Sequence, residues 1–453
     1  MVRFTLNGQE MEYDGNSDMS LLRYLRDVAG LKSVKDGCSG EGTCGACIVE
    51  KNGKPNLSCR VPMKKLEGAD LVTLEGVPEE TVRFLGEAFV EAGAVQCGFC
   101  SPGMLTRTKL LLAKNPNPTR EEVTKKIKSH LCRCTGYVKI VDGVMNASRA
   151  MNGEQEPELI NLDSPRKFTA YERVVGKPLF IGGMDMEGML HGALHFSEHP
   201  RARIIKIDTS RAEAVPGVVR VFTAKDVPGR RNIGMIISDW DAYIAEGEIT
   251  RYIGDVLAMV VAETNQIARE AAALVDVEYE VLEAVTDPFE ALKDEIKVHE
   301  GGNLLKETKI AYGEDIDKVL ADSAYVVGDT FETQLVEHAF LELENSVACY
   351  EDGRLTVYSQ GQGIYEDRHQ IADLLGLEPA DLNVKLVPAG GAFGGKEDLS
   401  VQGHAALGAF ILKCPVKVKL NRSESLRMHP KRHPMVMEYK MGCDESGKFT
   451  GLY

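Results

Sequence analysis

The feature that most constrains this chain is the placement of its cysteines. Eight of the 11 fall before residue 135, at Cys38, Cys44, Cys47, Cys59, Cys97, Cys100, Cys132 and Cys134. Only Cys349, Cys414 and Cys443 lie elsewhere. The first residues, MVRFTLNGQEMEY, alternate like a strand and lack a charged n-region followed by an apolar h-region. No apolar run is long enough to span a bilayer. A cytoplasmic location is therefore expected, and there a dense cysteine cluster binds metal more readily than it forms disulfides. A formal net charge of −15 argues against a nucleic-acid partner, because phosphate binding needs a basic surface.

The 453 residues exceed what one compact core organises and imply several domains. Residues 2–13 read as a hairpin around Asn7-Gly8, a type I′ turn signal. A helix is expected from about Ser17, with Leu21, Leu22, Leu25 and Val28 on one face and Gly30 at its end. A glycine- and cysteine-rich loop follows, then a strand at Ile48–Glu50 and a second Asn-Gly turn at Asn52-Gly53. That order predicts a β-grasp, ferredoxin-like domain over 1–77. Residues 78–152 read as helices, one opened by a capping box from Thr119 to Glu122 behind Pro118. Residues 153–172 are polar and irregular and read as a linker.

Beyond the linker the pattern is α/β. Val256–Val261 reads as a strand, Thr264 as the cap of an alanine-rich helix to Leu274, and Val275–Tyr279 as another strand. From about 300, a strand at Leu355–Ser359, a helix near Arg368–Leu375 and a strand at Val384–Val387 are the clearest elements. Residues 435–441 and Phe449–Tyr453 flank a turn at Asp444–Lys448 as a hairpin whose return strand has just begun, which predicts an unpaired edge at the end of the chain. There is no internal repeat.

Cys38, Cys44, Cys47 and Cys59 are spaced C-x5-C-x2-C-x11-C. Four thiolates on a glycine-rich loop can wrap a 2Fe–2S cluster, because glycine lets backbone N–H groups approach the sulfurs. The plant-type ferredoxin loop is one residue shorter. A four-cysteine zinc site is the competing reading, and the GTCGAC context favours iron. Cys97, Cys100, Cys132 and Cys134 form a second set, two pairs flanked by helices. Zinc or a redox CxxC competes there. A ferredoxin-type loop upstream favours a second electron carrier.

The strings CSGEGTCGAC, GAVQCGFCSPGM and LCRCTGY resemble the two iron–sulfur domains of the xanthine oxidase/aldehyde oxidoreductase family, molybdenum hydroxylases. Segments GMLHGALHFSEHPRARIIKIDTSRA, RYIGDVLAMVVAET and VEYEVLEAVTDP resemble its α/β hammerhead domain. VEHAFLE, SQGQG and GGAFGGKE resemble the start of its molybdenum-cofactor-binding domain. The resemblance implies an α+β multidomain protein with a hammerhead-like domain at 173–290 and the first part of a molybdopterin-binding domain at 300–453. It implies two 2Fe–2S clusters and a molybdenum–molybdopterin cofactor, and it admits the cytosine dinucleotide form and selenium. By resemblance Gln96 and Cys134 touch the pterin, and Phe393, Gly394 and Gly395 hold the cofactor. Gln362, with Gln360 as the alternative, approaches a molybdenum ligand, and Glu397 orients the substrate.

No flavin domain fits between the clusters and the molybdenum region, unlike the long xanthine oxidases. Glu397 resembles the selenium-dependent xanthine dehydrogenases, because a carboxylate suits a hydrogen-bonding heterocycle. The expected activity is hydroxylation of a purine with oxygen from water, the electrons leaving singly through the two clusters. An aldehyde substrate, or an electron-transfer module without catalysis, is the alternative. In the family the general-base glutamate comes later than this sequence extends. The resemblance thus implies a C-terminal molybdenum-domain polypeptide or a missing segment, with a flavin subunit or a ferredoxin as electron acceptor.

Overall fold

A computed structural model describes residues 1–152, 167–177 and 180–453. Most of the expected 153–172 linker lies outside the described residues.

The first unit is a five-stranded sheet. Its order is Gln9–Tyr13, Val2–Leu6, Asp70–Val72, Ile48–Lys51, Lys54–Leu57. Val2–Leu6 pairs parallel with Asp70–Val72 across the middle, as a β-grasp requires. Both Asn-Gly turns form as read, with Asn7, Gly8, Asn52 and Gly53 all at positive φ. Leu21, Leu22 and Leu25 pack on Phe4, Leu6, Val49 and Leu71. The helix that carries them departs from expectation. It begins at Leu21, not near Ser17, because the Ser20 hydroxyl accepts from Arg23 N. It then widens into a π turn over Tyr24–Val28. Upstream, Asp18 N donates to Asn16 Oδ1, which holds 16–18 in a turn instead.

Four helices follow, at Glu79–Glu91, Ser101–Lys114, Arg120–Ile127 and Val138–Met151. They bury Phe89, Met104, Leu105, Val123, Ile127, Ile140 and Val144 in one core. Each such side chain contributes about 1.5–3 kcal/mol by leaving water. The Thr119/Glu122 capping box is present in both directions. A short helix at Ala170–Val175, which straddles the expected end of the linker at 172, buries Ala170 and Val174 in this same core.

The remaining chain is built on one seven-stranded sheet. Its order is Leu382–Leu386, Arg354–Ser359, Asn345–Glu351, Val416–Lys419, Leu190–Phe196, Val256–Ala262, Val218–Phe222. Val416–Lys419 pairs parallel with Leu190–Phe196. That pairing joins strands from 173–290 to strands from 300–453, so the two regions share a sheet. Every residue of Val256–Ala262 is buried, which explains its unbroken apolar run. Thr264 caps the helix Asn265–Ala272 as expected. Helices Ile364–Leu375 and Gln402–Leu412 pack together beside this sheet. A separate three-stranded sheet joins Tyr325–Thr333, Met435–Cys443 and Phe449–Leu452. Its last hairpin is closed to the end, with Tyr453 N donating to Lys440 O at 2.8 Å. Among the described residues no helix is long and apolar enough to cross a membrane.

Candidate iron–sulfur and cofactor sites

The first cysteine set sits on the loop ahead of strand Ile48–Lys51. Gly40, Gly42 and Gly45 all take positive φ there, which lets the loop curl around a centre. Cys59 is brought in by the turn Ser58–Arg60, pinned where Ser58 Oγ donates to Cys47 O at 2.7 Å. The sulfurs fall into two hydrogen-bonded pairs, Cys38 with Cys44 and Cys47 with Cys59. The bond from Cys44 draws the Cys38 thiol down to about 4, while the Cys44 thiol is pushed up by the same bond. Four sulfurs gathered as two pairs suit two irons with two ligands apiece, all four as thiolates once iron is bound.

The second set is built from two turns. Cys97 and Cys100 precede helix Ser101–Lys114, and Cys132 and Cys134 precede Val138–Met151. Cys134 Sγ lies 3.5 Å from Cys97 Sγ, and Cys100 pairs with Cys132. The bonds from Cys100 and Cys134 hold the Cys132 thiol at about 2. Gly98 has φ +82 and lies under Arg173, where a Cβ would come 2.5 Å from Arg173 Cβ. Arg173 donates to Cys97 O at 2.8 Å, and Lys167 to Gln96 O at 2.6 Å. Lys167 at the end of the stretch read as linker and Arg173 just beyond it therefore clamp the second cysteine turn.

The two sets adjoin. Leu131 N, next to Cys132, donates to Cys44 O at 2.9 Å. A Cβ on Gly45 would stand 2.6 Å from Ser129 O, so only glycine permits this approach. This direct backbone bond puts the two ligand loops in contact, a closeness that suits one-electron transfer in series.

The glycine-rich loop lies on the other side of the second set. Phe99, between Cys97 and Cys100, packs so closely on Gly390 that a Cβ there would come 2.9 Å from its ring. Gly391, Phe393 and Gly394 take positive φ. Phe393 is 47% exposed, and the Arg133 guanidinium lies 6.0 Å from its ring. Arg133, between Cys132 and Cys134, also donates to His338 O at 2.9 Å. Gln362 Oε1 accepts from Gly394 N at 3.0 Å and is exposed beside the loop. Gln360 is different. It is 3% exposed, donates to Leu343 O and Asn345 O, and accepts from Lys396. Its amide is fully engaged in holding the fold, which leaves Gln362 as the glutamine able to meet a ligand. Glu397 and Gln96 are exposed, and Cys134 is half-buried.

Gln362, Phe393 and Gly394 thus form one surface, and the Arg133 and Phe99 contacts bring the turns of Cys134 and Gln96 beside it. Four residues outside the expected list organise it. Lys396 is buried, donates to Glu342 O at 2.8 Å and sits 4.4 Å from the Phe340 ring centre. Burial pushes its ammonium down. Glu342 accepts from Gly390 N at 2.6 Å. Arg133 and Arg422 tie the iron–sulfur domains to this region. A lysine inside GGKE was the one signal in the sequence. The other contacts are non-local and leave none.

A bound pterin fits what is present. Gly394 has open space where a Cβ would stand, the half-exposed Phe393 ring lies beside it, Gln362 has its amide nitrogen left over, and the Cys134 turn adjoins. These supply room, a ring face and a side-chain donor for a bound cofactor.

Comparison with known proteins agrees with this geometry. Residues 4–70 match the model of the 2Fe-2S iron-sulfur cluster binding domain and 73–145 that of the 2Fe-2S binding domain. Residues 175–283 match the aldehyde oxidase and xanthine dehydrogenase a/b hammerhead domain, and 298–453 the molybdopterin cofactor-binding domain. The aldehyde oxidoreductase of Megalodesulfovibrio gigas is 33% identical over 99% of this chain and 52% of its own. The solved aldehyde oxidoreductase from Desulfovibrio gigas superposes with a TM-score of 0.91 at 32% identity, over 99% of this chain and 53% of that one. In Eubacterium barkeri the match divides between two proteins. The nicotinate dehydrogenase small FeS subunit is 47% identical over 31% of this chain and 88% of its own. The large molybdopterin subunit is 35% identical over 63% of this chain and 67% of its own. The chain spans about half the length of the aldehyde oxidoreductase it matches.

Proposed function

Because the chain belongs to the xanthine oxidase/aldehyde oxidoreductase family of molybdenum hydroxylases, we propose that it is the electron-relay and cofactor-cradling part of an enzyme that hydroxylates an electron-poor heterocycle. The observation that carries this reading is the continuity of the relay. The Cys38 set meets the Cys132 segment through the Leu131–Cys44 bond, and the Cys97 turn meets the glycine-rich loop through Phe99 and Gly390.

Phe393, Gly394 and Gly395 would hold the molybdopterin, with Gln362 beside the metal and Gln96 and Cys134 against the pterin. The bound cofactor supplies the two-electron oxidation of the substrate and delivers oxygen derived from water. The chain's own residues do the rest. Gln362 is oriented by Gly394 N–H, so its amide N–H group is turned away from the loop and free to donate. Glu397 lies exposed three residues beyond Gly394, where it can accept a heterocycle N–H and fix its orientation. The Cys97 set and the Cys38 set would each hold a 2Fe–2S cluster, which would supply one-electron transfer away from the cofactor.

Glu397 favours a purine. The aldehyde oxidoreductase relatives favour an aldehyde as the second reading. The E. barkeri subunits support division of the enzyme among several polypeptides. The rest of the molybdenum domain, on a separate polypeptide or as a further segment, is the proposed complement, with a flavin subunit or ferredoxin as acceptor.

The test is reconstitution. With the rest of the molybdenum domain supplied in trans, the chain should retain molybdenum and turn over xanthine or hypoxanthine. Glu397→Ala should then lose purine turnover by 10²-fold or more while iron content is unchanged. Turnover of aldehydes but of no purine would transfer the assignment to the second reading. Absence of both activities in a molybdenum-loaded complex would overturn the proposal.

A further inference from the structure

Beside the glycine-rich loop lies a cluster that the proposed reaction does not use. Glu337 and His338 precede Phe340, and His429 follows the helix Arg422–Met428. An antiparallel bridge between Val336 and Arg432 fastens the two segments together. Glu337 Oε1 stands 2.9 Å from His429 Nε2. Donor atoms of Glu337, His338 and His429 all lie within 4.8 Å of one another.

The hydrogen bonding of this cluster is incomplete. The His429 side chain is 1% exposed, and its two ring nitrogens approach carboxylates at 2.9 and 2.8 Å. Both are ion pairs, but neither has the alignment of a hydrogen bond, so the N–H directions of the ring are left unsatisfied. His338 Nδ1 is a buried orphan as well. Orphaned buried polar atoms of this kind cost stability unless something absent completes them. Ala339, between His338 and Phe340, holds φ +52, an unfavourable conformation for a residue with a Cβ. That turn places Glu337 and His338 side by side, with Ala339 N donating to Glu337 Oε1 at 2.9 Å.

We propose that Glu337, His338 and His429 bind a divalent transition-metal cation of the zinc class. Two imidazoles and one carboxylate are a donor set that zinc accepts, with a fourth position left for water. The second shell is in place. Glu344 lies 2.8 Å from His429 Nδ1, so a small turn of the ring that brings Nε2 onto a cation would give the far nitrogen a carboxylate partner. Lys431 is 3.0 Å from Glu337 Oε2, which leaves Oε1 to face the cation. Tetrahedral ligands at about 2.1 Å from zinc stand about 3.4 Å apart, so donors that lie within 4.8 Å of one another need close by no more than about 1.4 Å. The entry path is a cleft of about 520 Å³ whose lining includes His429, Lys431, Trp240 and Tyr252. The cation ties the segment ahead of Phe340 to the segment after Met428. It thereby braces the glycine-rich loop, where His338 lies so close that a Cβ on Gly395 would come 2.8 Å from its ring.

The experiment uses the full chain with its iron loaded, stripped with EDTA and dialysed against zinc chloride. Metals are counted by mass spectrometry. The wild type should retain about one zinc per chain, and His338→Gln and His429→Gln should each lose it at unchanged iron content. Zinc-edge X-ray absorption of the wild type should show a nitrogen/oxygen shell at about 2.0–2.1 Å and no sulfur shell near about 2.3 Å. Retention of the zinc by both variants would overturn the assignment. So would no zinc in the wild type, or a sulfur shell, which would place the ion at the cysteines.

Discussion

Arg422→Ala tests how the first iron–sulfur domain is fixed to the cofactor region. The guanidinium donates to Gly37 O at 2.7 Å, to Phe340 O at 2.7 Å and to Leu341 O at 3.2 Å. Gly37 adjoins Cys38, and Phe340 underlies the glycine-rich loop, so one side chain bridges both. A hydrogen bond from a charged donor is worth about 1.5–3 kcal/mol. The three share one group and are not additive, which puts the truncation at about 3–5 kcal/mol. For a unit of this size that lowers the first thermal transition by roughly 10 °C. Scanning calorimetry reads the transition, and hydrogen exchange should show faster amides at Gly37–Ser39 and Phe340–Leu341. Arg422→Lys should recover only a minor share, because an ammonium cannot fork across three carbonyls. A loss below about 1 kcal/mol, or full recovery by lysine, would refute the bridging role.

Gly45→Ala should separate the iron–sulfur domains, because a Cβ would meet Ser129 O at 2.6 Å on a backbone already at φ +73. A cost of about 2–4 kcal/mol is expected from strain and overpacking, checked by chemical unfolding. Asp367 is buried, and burial pushes its carboxyl up to about 6 against the donors Ser359 Oγ and Gln402 Nε2. A raised pKa means stability that is present in full below the unfolded value near pH 4 and is lost as pH rises through about 6. Asp367→Asn should therefore be the more stable protein at pH 7, by up to about 3 kcal/mol, with the difference vanishing below pH 4. Urea midpoints at pH 4 and pH 7 check it.

What the sequence revealed and what it hid divide along locality. Both Asn-Gly turns and the Thr119 cap are decided by neighbours in the chain, and all are found where the sequence puts them. Sulfur pairing was not legible, because Cys97 meets Cys134 only after two helices pack. The choice between Gln360 and Gln362 needed burial, since Lys396 and the carbonyls that occupy Gln360 come from distant segments. Helix Ala170–Val175 is too short to show periodicity. Its identity rests on Ala170 and Val174 finding a core built elsewhere. The shared sheet depends on Val416–Lys419 pairing with Leu190–Phe196, more than 200 residues away, and no local pattern records it. The Glu337–His338–His429 cluster is hidden for the same reason.

The central claim is a two-cluster relay in which the Cys134 set, and not the Cys38 set, adjoins the cofactor. Electron paramagnetic resonance of the dithionite-reduced protein, with iron and molybdenum counted on the same samples, tests it most directly. Two rhombic signals and about four irons per chain are expected. Cys38→Ser should abolish one signal and leave molybdenum retention in the assembled enzyme intact. Cys134→Ser should abolish the other and lose molybdenum with it. Loss of the same signal in both variants, or zinc in place of iron at the Cys97 set, would contradict the account.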